Sequence, residues 1–217
     1  GGRVPSERPG SGARRWSYGC GVCFSAEADL VTGVVVTAVG IDTLRNVRHT
    51  RETALAALPL VFGVHQLIEV PVWCGVDGAG SSGIVQLAAW AYLAIAFGLI
   101  PWWVPLAVRG LEADPRRRRR MAWLVWLGAA VGAVLTVAMT LGPLTVVDAG
   151  HHLDYSFPLR FGGELTALYV IATCGAMLLS SDRGVFVYGV ANLAVVVVLA
   201  VLLSTGVFSL WCVWAAV

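Results

Sequence analysis

The sequence predicts an all-α, polytopic transmembrane helix bundle with its N-terminus outside. Three observations lead there: successive long apolar runs, few charged residues, and basic residues gathered in alternate loops. Of 217 residues 58% are hydrophobic and 13% charged, against about 45–50% and about 25% in an ordinary soluble domain. One core of this size cannot hide so much apolar surface, so the surplus faces lipid.

The apolar runs, taken in chain order, are Leu30 to Arg45, Thr53 to Gly75, Ile84 to Val108, Met121 to Leu141, Leu165 to Ser180 and Gly184 to Ser204. These read as six full spans of about 30 Å of hydrocarbon. After Thr205-Gly206 a further run, Val207 to Val217, covers about half that thickness and reads as a seventh helix cut short. Small residues four apart, as at Gly128 and Gly132, allow close helix approach.

Orientation follows from the arginines, because short loops rich in Lys and Arg stay cytoplasmic. All fifteen basic residues are Arg. Arg45, Arg48 and Arg51 follow span one, Arg109 and Arg116 to Arg120 follow span three, and Arg183 follows span five. The alternate loops, Val76 to Gly83 and Gly142 to Gly163, hold only Arg160 and lie outside. Trp73, Trp102, Trp103 and Trp211 near span ends fit interfacial aromatic belts. The absence of Lys excludes a Schiff-base photoreceptor. The arginines serve membrane orientation, so the expected partner is the lipid bilayer and no nucleic acid.

Gly1 to Gly21 departs from this pattern. It is rich in Gly, Ser, Pro and Arg, lacks hydrophobic periodicity, and would set four arginines on the outer side. It reads as a disordered or mis-assigned upstream extension, with one transmembrane domain over 22–217. A GTG start codon written as Val22 would open the chain at Met-Cys23-Phe24-Ser25-Ala26 and dissolve the Cys20-Gly21-Val22-Cys23 pattern. A signal peptide is disfavoured, because Glu27 and Asp29 interrupt the stretch where its apolar region would run.

Cys23-Phe24-Ser25-Ala26, the stretch Leu60-Val61-Phe62-Gly63-Val64-His65-Gln66-Leu67-Ile68-Glu69, and Leu210-Trp211-Cys212 together resemble an uncharacterised family of bacterial multi-pass membrane proteins. Its members open with Met-Cys-Phe-Ser-Ala and carry a similar His-Gln-x-x-Glu helix. The resemblance implies a bacterial plasma-membrane protein and no known activity. The layout is also loosely similar to the alkaline ceramidase and lysoplasmalogenase-like membrane hydrolases. Their late His-x-x-x-His motif has no counterpart here, so that likeness concerns the fold alone.

Ionisable groups inside spans are costly and mark function or a paired structural site. His65 and Glu69 stand four apart on one helical face, and Trp73 continues the stripe. At 1.5 Å per residue Glu69 lies about 9 Å and His65 about 15 Å below the outer boundary. Cys23, Glu27 and Asp29 at the entry of span one, Cys74 at the end of span two, and Glu164 at the entry of span five share that level. The long outer loop adds His151, His152, Asp154 and Tyr155.

Two chemistries suit the set. His65, Glu69, His151, His152 and Glu164 could ligate a divalent metal such as zinc, which would activate a water. Alternatively Glu69 fixes the tautomer of His65, whose other nitrogen is a general base. His65, Glu69 and Cys23 are the catalytic candidates; a disulfide from Cys23 to Cys74 is the alternative for that thiol. The expected function is a membrane-embedded, metal-dependent enzyme with an outward-facing site, acting on a lipid or amphiphile. A structural or sensory subunit with a buried polar lock is the second reading, and a small ion or proton-coupled transporter the third.

Overall fold

The computed structural model describes residues 26–76, 81–148, 153–159 and 161–202. Cys23, His151, His152, the extension over residues 1–21 and the run over 207–217 therefore lie outside the described residues. The chain is mostly helical. Helix α1 covers Ala26–Arg45, a 3-10 turn (Thr50–Glu52) and the short α2 (Thr53–Ala56) lead into α3 (Leu58–Val76), and α4 (Ser82–Leu93) passes through a π-helical turn (Ala94–Leu99) into α5 (Ile100–Leu111). Helices α6 (Pro115–Leu141), α7 (Gly162–Leu178) and α8 (Arg183–Leu202) complete the bundle.

Among the described residues four helical stretches are long and apolar enough to cross a membrane: Thr50–Gly75, Ser82–Leu111, Pro115–Leu141 and Arg183–Val201. Helix α7 is a shorter apolar helix, and α1 carries Glu27, Asp29 and Asp42 among its apolar residues. Large apolar side chains remain exposed along the helices, Trp123 and Trp126 of α6 and Val197 and Val201 of α8 among them. These are the surfaces that suit a lipid solvent.

The bundle is built on close backbone approach. Helix α1 packs chiefly on α3, where a Cβ at Gly63 would overlap the backbone of Thr37. Helix α6 packs on α5, where a Cβ at Gly128 would run into the Pro101 carbonyl. The small-residue spacing at Gly128 thus serves the helix contact its sequence suggests.

The third apolar run is one rod with a defect. Within its π-helical turn the Ile100 amide donates to the Ile95 carbonyl, five residues back. In that register the next acceptor, the Ala96 carbonyl, faces the nitrogen of Pro101, which has no hydrogen. Tyr169 of α7 supplies the missing donor, its hydroxyl lying 2.8 Å from that oxygen.

The loop between α6 and α7 is not the featureless connection that an all-α reading implies. It forms an antiparallel hairpin, β1 (Thr145–Asp148) with β2 (Leu153–Ser156), pairing Val146 with Tyr155 and Asp148 with Leu153. Two strands of four residues are marginal alone in water. Alternation along β2 sends Leu153 and Tyr155 to one face, and that face is seated on the bundle. Leu153 is buried among Val72, Trp73, Ala88 and Ala89.

At the opposite end the loop after α5 is locked to the loop after α7. Glu112 is buried and accepts the Ser181 amide at 2.8 Å, the Ser181 hydroxyl at 2.7 Å and the Asp114 amide at 3.0 Å. Asp114 caps α6 by accepting the Arg116 amide at 2.9 Å. Arg117 donates to the Leu179 carbonyl at 3.0 Å and the Ser180 carbonyl at 3.3 Å, closing the C-terminus of α7. Desolvation raises the pKa of Glu112, but the donors from Asp114 and Ser181 and the charge of Arg117 outweigh it and hold the carboxyl below its ordinary value.

Candidate functional site

Helix α3 is two-faced. Leu60, Gly63 and Leu67 meet α1, and at about 100° per residue His65, Gln66 and Glu69 occupy an arc of roughly 100° on the opposite side. All three are buried, at 1%, 0% and 1% exposure. The polar stripe therefore faces the protein interior, not lipid, which is where the cost of an ionisable group in a membrane directs it.

An aromatic stack covers the stripe. The His65 ring lies 3.9 Å from that of Tyr92 on α4, and Tyr92 lies 5.0 Å from Tyr155 of the hairpin, both pairs nearly parallel. The Tyr155 hydroxyl donates to Glu69 Oε1 at 3.0 Å. One hairpin residue thus binds the carboxylate and closes the stack above the histidine.

The tautomer of His65 follows from its partner. Nε2 lies 3.1 Å from the Tyr92 carbonyl, which can only accept, so Nε2 carries the proton and Nδ1 presents a lone pair. Glu69 does not orient His65, as the spacing suggested; the Tyr92 carbonyl does so, and Glu69 is held by Tyr155. Among the described residues, Nδ1 of His65 and both amide atoms of Gln66 are buried with no hydrogen-bond partner. An unsatisfied buried polar group costs about 1–3 kcal/mol, and native folds keep few of them.

Asp29 joins the same face one turn further out. It is buried and accepts the Trp73 indole N–H at 2.8 Å. Trp73, 7% exposed, is therefore an interior ligand of a carboxylate and not an interfacial belt residue. The bond ties the entry of α1 to the outer end of α3.

The remaining candidates separate. Glu164 is exposed in the first turn of α7, and Cys74 is a free, exposed thiol at the outer end of α3. Among the described residues no three His, Cys, Asp or Glu side chains come together as metal ligands. His65, Glu69 and Glu164 alone thus make no metal site. Tyr92 and Gln66 complete the polar site although no ligand-type spacing marks them. A tyrosine and a glutamine inside apolar runs are themselves polar exceptions, and that is the signal that could have found them.

What this arrangement can do chemically is defined by its unpaired atoms. His65 Nδ1 can accept a hydrogen bond or a proton, and the Gln66 amide can both donate and accept. Glu69 stands beside them with its carboxylate engaged by a phenol.

Residues 22–217 match the model of a family described as a family of unknown function, DUF6629. The chain belongs to this family. The match takes in all eight helices, the hairpin and the polar face of α3. No curated protein and no solved structure matches the chain.

Proposed function

We propose that this DUF6629 protein is a multi-pass membrane protein whose activity resides in the polar face of α3, where His65, Gln66 and Glu69 take up a small hydrogen-bonding ligand. The observation that carries this reading is that, among the described residues, Nδ1 of His65 and both amide atoms of Gln66 stand side by side on α3, buried without a hydrogen-bond partner. A ligand that offers a donor to Nδ1 and pairs with the amide removes their desolvation penalty. With a lone pair at Nδ1 the same site can serve as a general base, so acid–base chemistry on the bound molecule is the enzymatic form of the reading.

The topology that goes with it is six spans with the N-terminus outside, in the plasma membrane of a bacterium. The arginine distribution supports the orientation, and the family match beginning at residue 22 supports a folded domain over 22–217. In this arrangement α1 and α7 span beside the four longer apolar stretches, and the hairpin lies on the outer face. The metal-dependent form would need His151 or His152 beside His65 and Glu69. Elemental analysis of the purified protein with and without His65→Ala tests it: stoichiometric zinc lost in the variant supports a metal centre, and none in either removes it.

A second reading, the polar lock, is favoured by the Tyr155–Glu69 and Trp73–Asp29 bonds, each of which ties α3 to another element. Gln66→Leu separates the two. A ligand site predicts a small molecule that co-purifies with the native protein in native mass spectrometry and is lost in the variant. No such molecule, with a more stable variant, would leave the lock.

A further inference from the structure

The geometry points to the β1–β2 hairpin as a lid that lifts from the bundle to open the polar face of α3 to the outer aqueous side, so that the ligand is a small water-soluble molecule and not a lipid. This rests on the reading of His65, Gln66 and Glu69 as a ligand site. The closed state is the one seen here: these three side chains are almost without solvent contact, and a ligand reaches them only if a covering element moves.

The elements over the site differ in how they are held. Helices α1 and α4 are packed along α3, and Tyr92 of α4 also gives its carbonyl to His65. The hairpin is held by side-chain contacts: the Tyr155 hydroxyl on Glu69, the Tyr155 ring on Tyr92, Leu153 and Val146 among apolar side chains, and, just past β2, Phe157 edge-on to Phe97. Its outer side is open, with Val147 58% exposed. A two-stranded ribbon of this length has little stability of its own, so the seating of β1 and β2 depends on side-chain contacts with the bundle.

Closure also opposes itself. With Tyr155 seated on Glu69 and Tyr92, His65 Nδ1 and the Gln66 amide are buried without a hydrogen-bond partner among the described residues, whereas a lifted hairpin lets water approach this face from the Glu69 side. Such opposed terms keep two states close in free energy, which is the condition for a ligand to shift the balance. The stem offers a pivot, because Gly142 and Pro158 lie against each other where the two arms leave α6 and approach α7. A water-soluble ligand follows from the route, because the movable cover is the hairpin, which the proposed topology places on the outer aqueous side.

The test is labelling kinetics in the full chain made free of native cysteine, with Gln66→Cys added and a membrane-impermeant, cationic thiol reagent supplied from outside. Labelling should be slow in this background and about tenfold faster when Tyr155→Phe removes the bond to Glu69 while keeping the ring. Leu153→Ala should accelerate it independently. A thiol placed by Ala176→Cys, buried in α7, should show neither change. Labelling at position 66 that is absent, indifferent to both hairpin variants, or accelerated equally at position 176 would overturn the lid. Accessibility is read without any ligand, so a failed lid leaves the co-purification test of the site untouched, and a failed ligand site leaves the gating rates as measured.

Discussion

The two ends of the bundle use buried carboxylates in opposite ways. At the loops after α5 and α7, both oxygens of Glu112 accept strong donors, and Arg117 closes a helix C-terminus beside it. Among the described residues that end is a completed latch. At the hairpin end Glu69 is bonded too, but its neighbours His65 and Gln66 keep buried atoms without a partner among the described residues. A fully paired polar network is what structure requires, and unpaired polar atoms in an otherwise well-packed interior are what a ligand or a conformational change requires. The difference separates the lock from the site within one molecule.

The largest effect expected from breaking that comparison is at the latch. Glu112→Ala removes the acceptor of three hydrogen bonds and strands the Ser181 donors, a loss of about 2–4 kcal/mol that thermal unfolding in detergent should register as a lower Tm. Acid should weaken the same latch. The folded-state pKa of Glu112 lies below its ordinary value, so its contribution is fully present above the ordinary glutamate pKa of about 4.3 and is lost as pH falls through the folded value. The acid-induced fall in Tm should be shallower in Glu112→Gln, which no longer titrates.

Gln66→Leu should move stability the other way. It removes two buried polar atoms that have no partner among the described residues, and a gain of up to about 1–3 kcal/mol in the ligand-free protein follows. Destabilisation there would mean that Gln66 is paired in the native membrane protein and that the contrast between the two ends is false. Tyr169→Phe tests the π-helical turn. Withdrawing the donor from the Ala96 carbonyl should lower stability by about 1–2 kcal/mol, and Phe at that position keeps the packing of α7.

Gly63→Ala sharpens the picture of α3 as a two-faced helix. An added methyl would meet the α1 backbone at Thr37, so stability should fall by about 1–3 kcal/mol. The labelling rate of a thiol introduced by Gln66→Cys on the other face should change much less than it does in Tyr155→Phe. Equal changes would merge the two faces into one packing unit.

Sequence alone was enough to establish that the chain is mostly helical with apolar runs long enough to cross a membrane, that His65 and Glu69 share a face, and that this face turns inward. Those properties depend on composition, on apolar run length and on a helical period that any α-helix imposes. Partner choice is a different matter. Periodicity placed Trp73 on the stripe but could not say that Asp29 of α1 accepts its indole, nor that the Tyr92 carbonyl, and not Glu69, sets the tautomer of His65. Tyr155 lay in view in the outer loop, yet its role depends on a hairpin register that turns it and Leu153 inward together. Each of these contacts joins residues 27 to 86 positions apart. Only tertiary packing determines which carbonyl or carboxylate meets which donor, because any of several polar groups at the same depth would satisfy the local chemistry equally well.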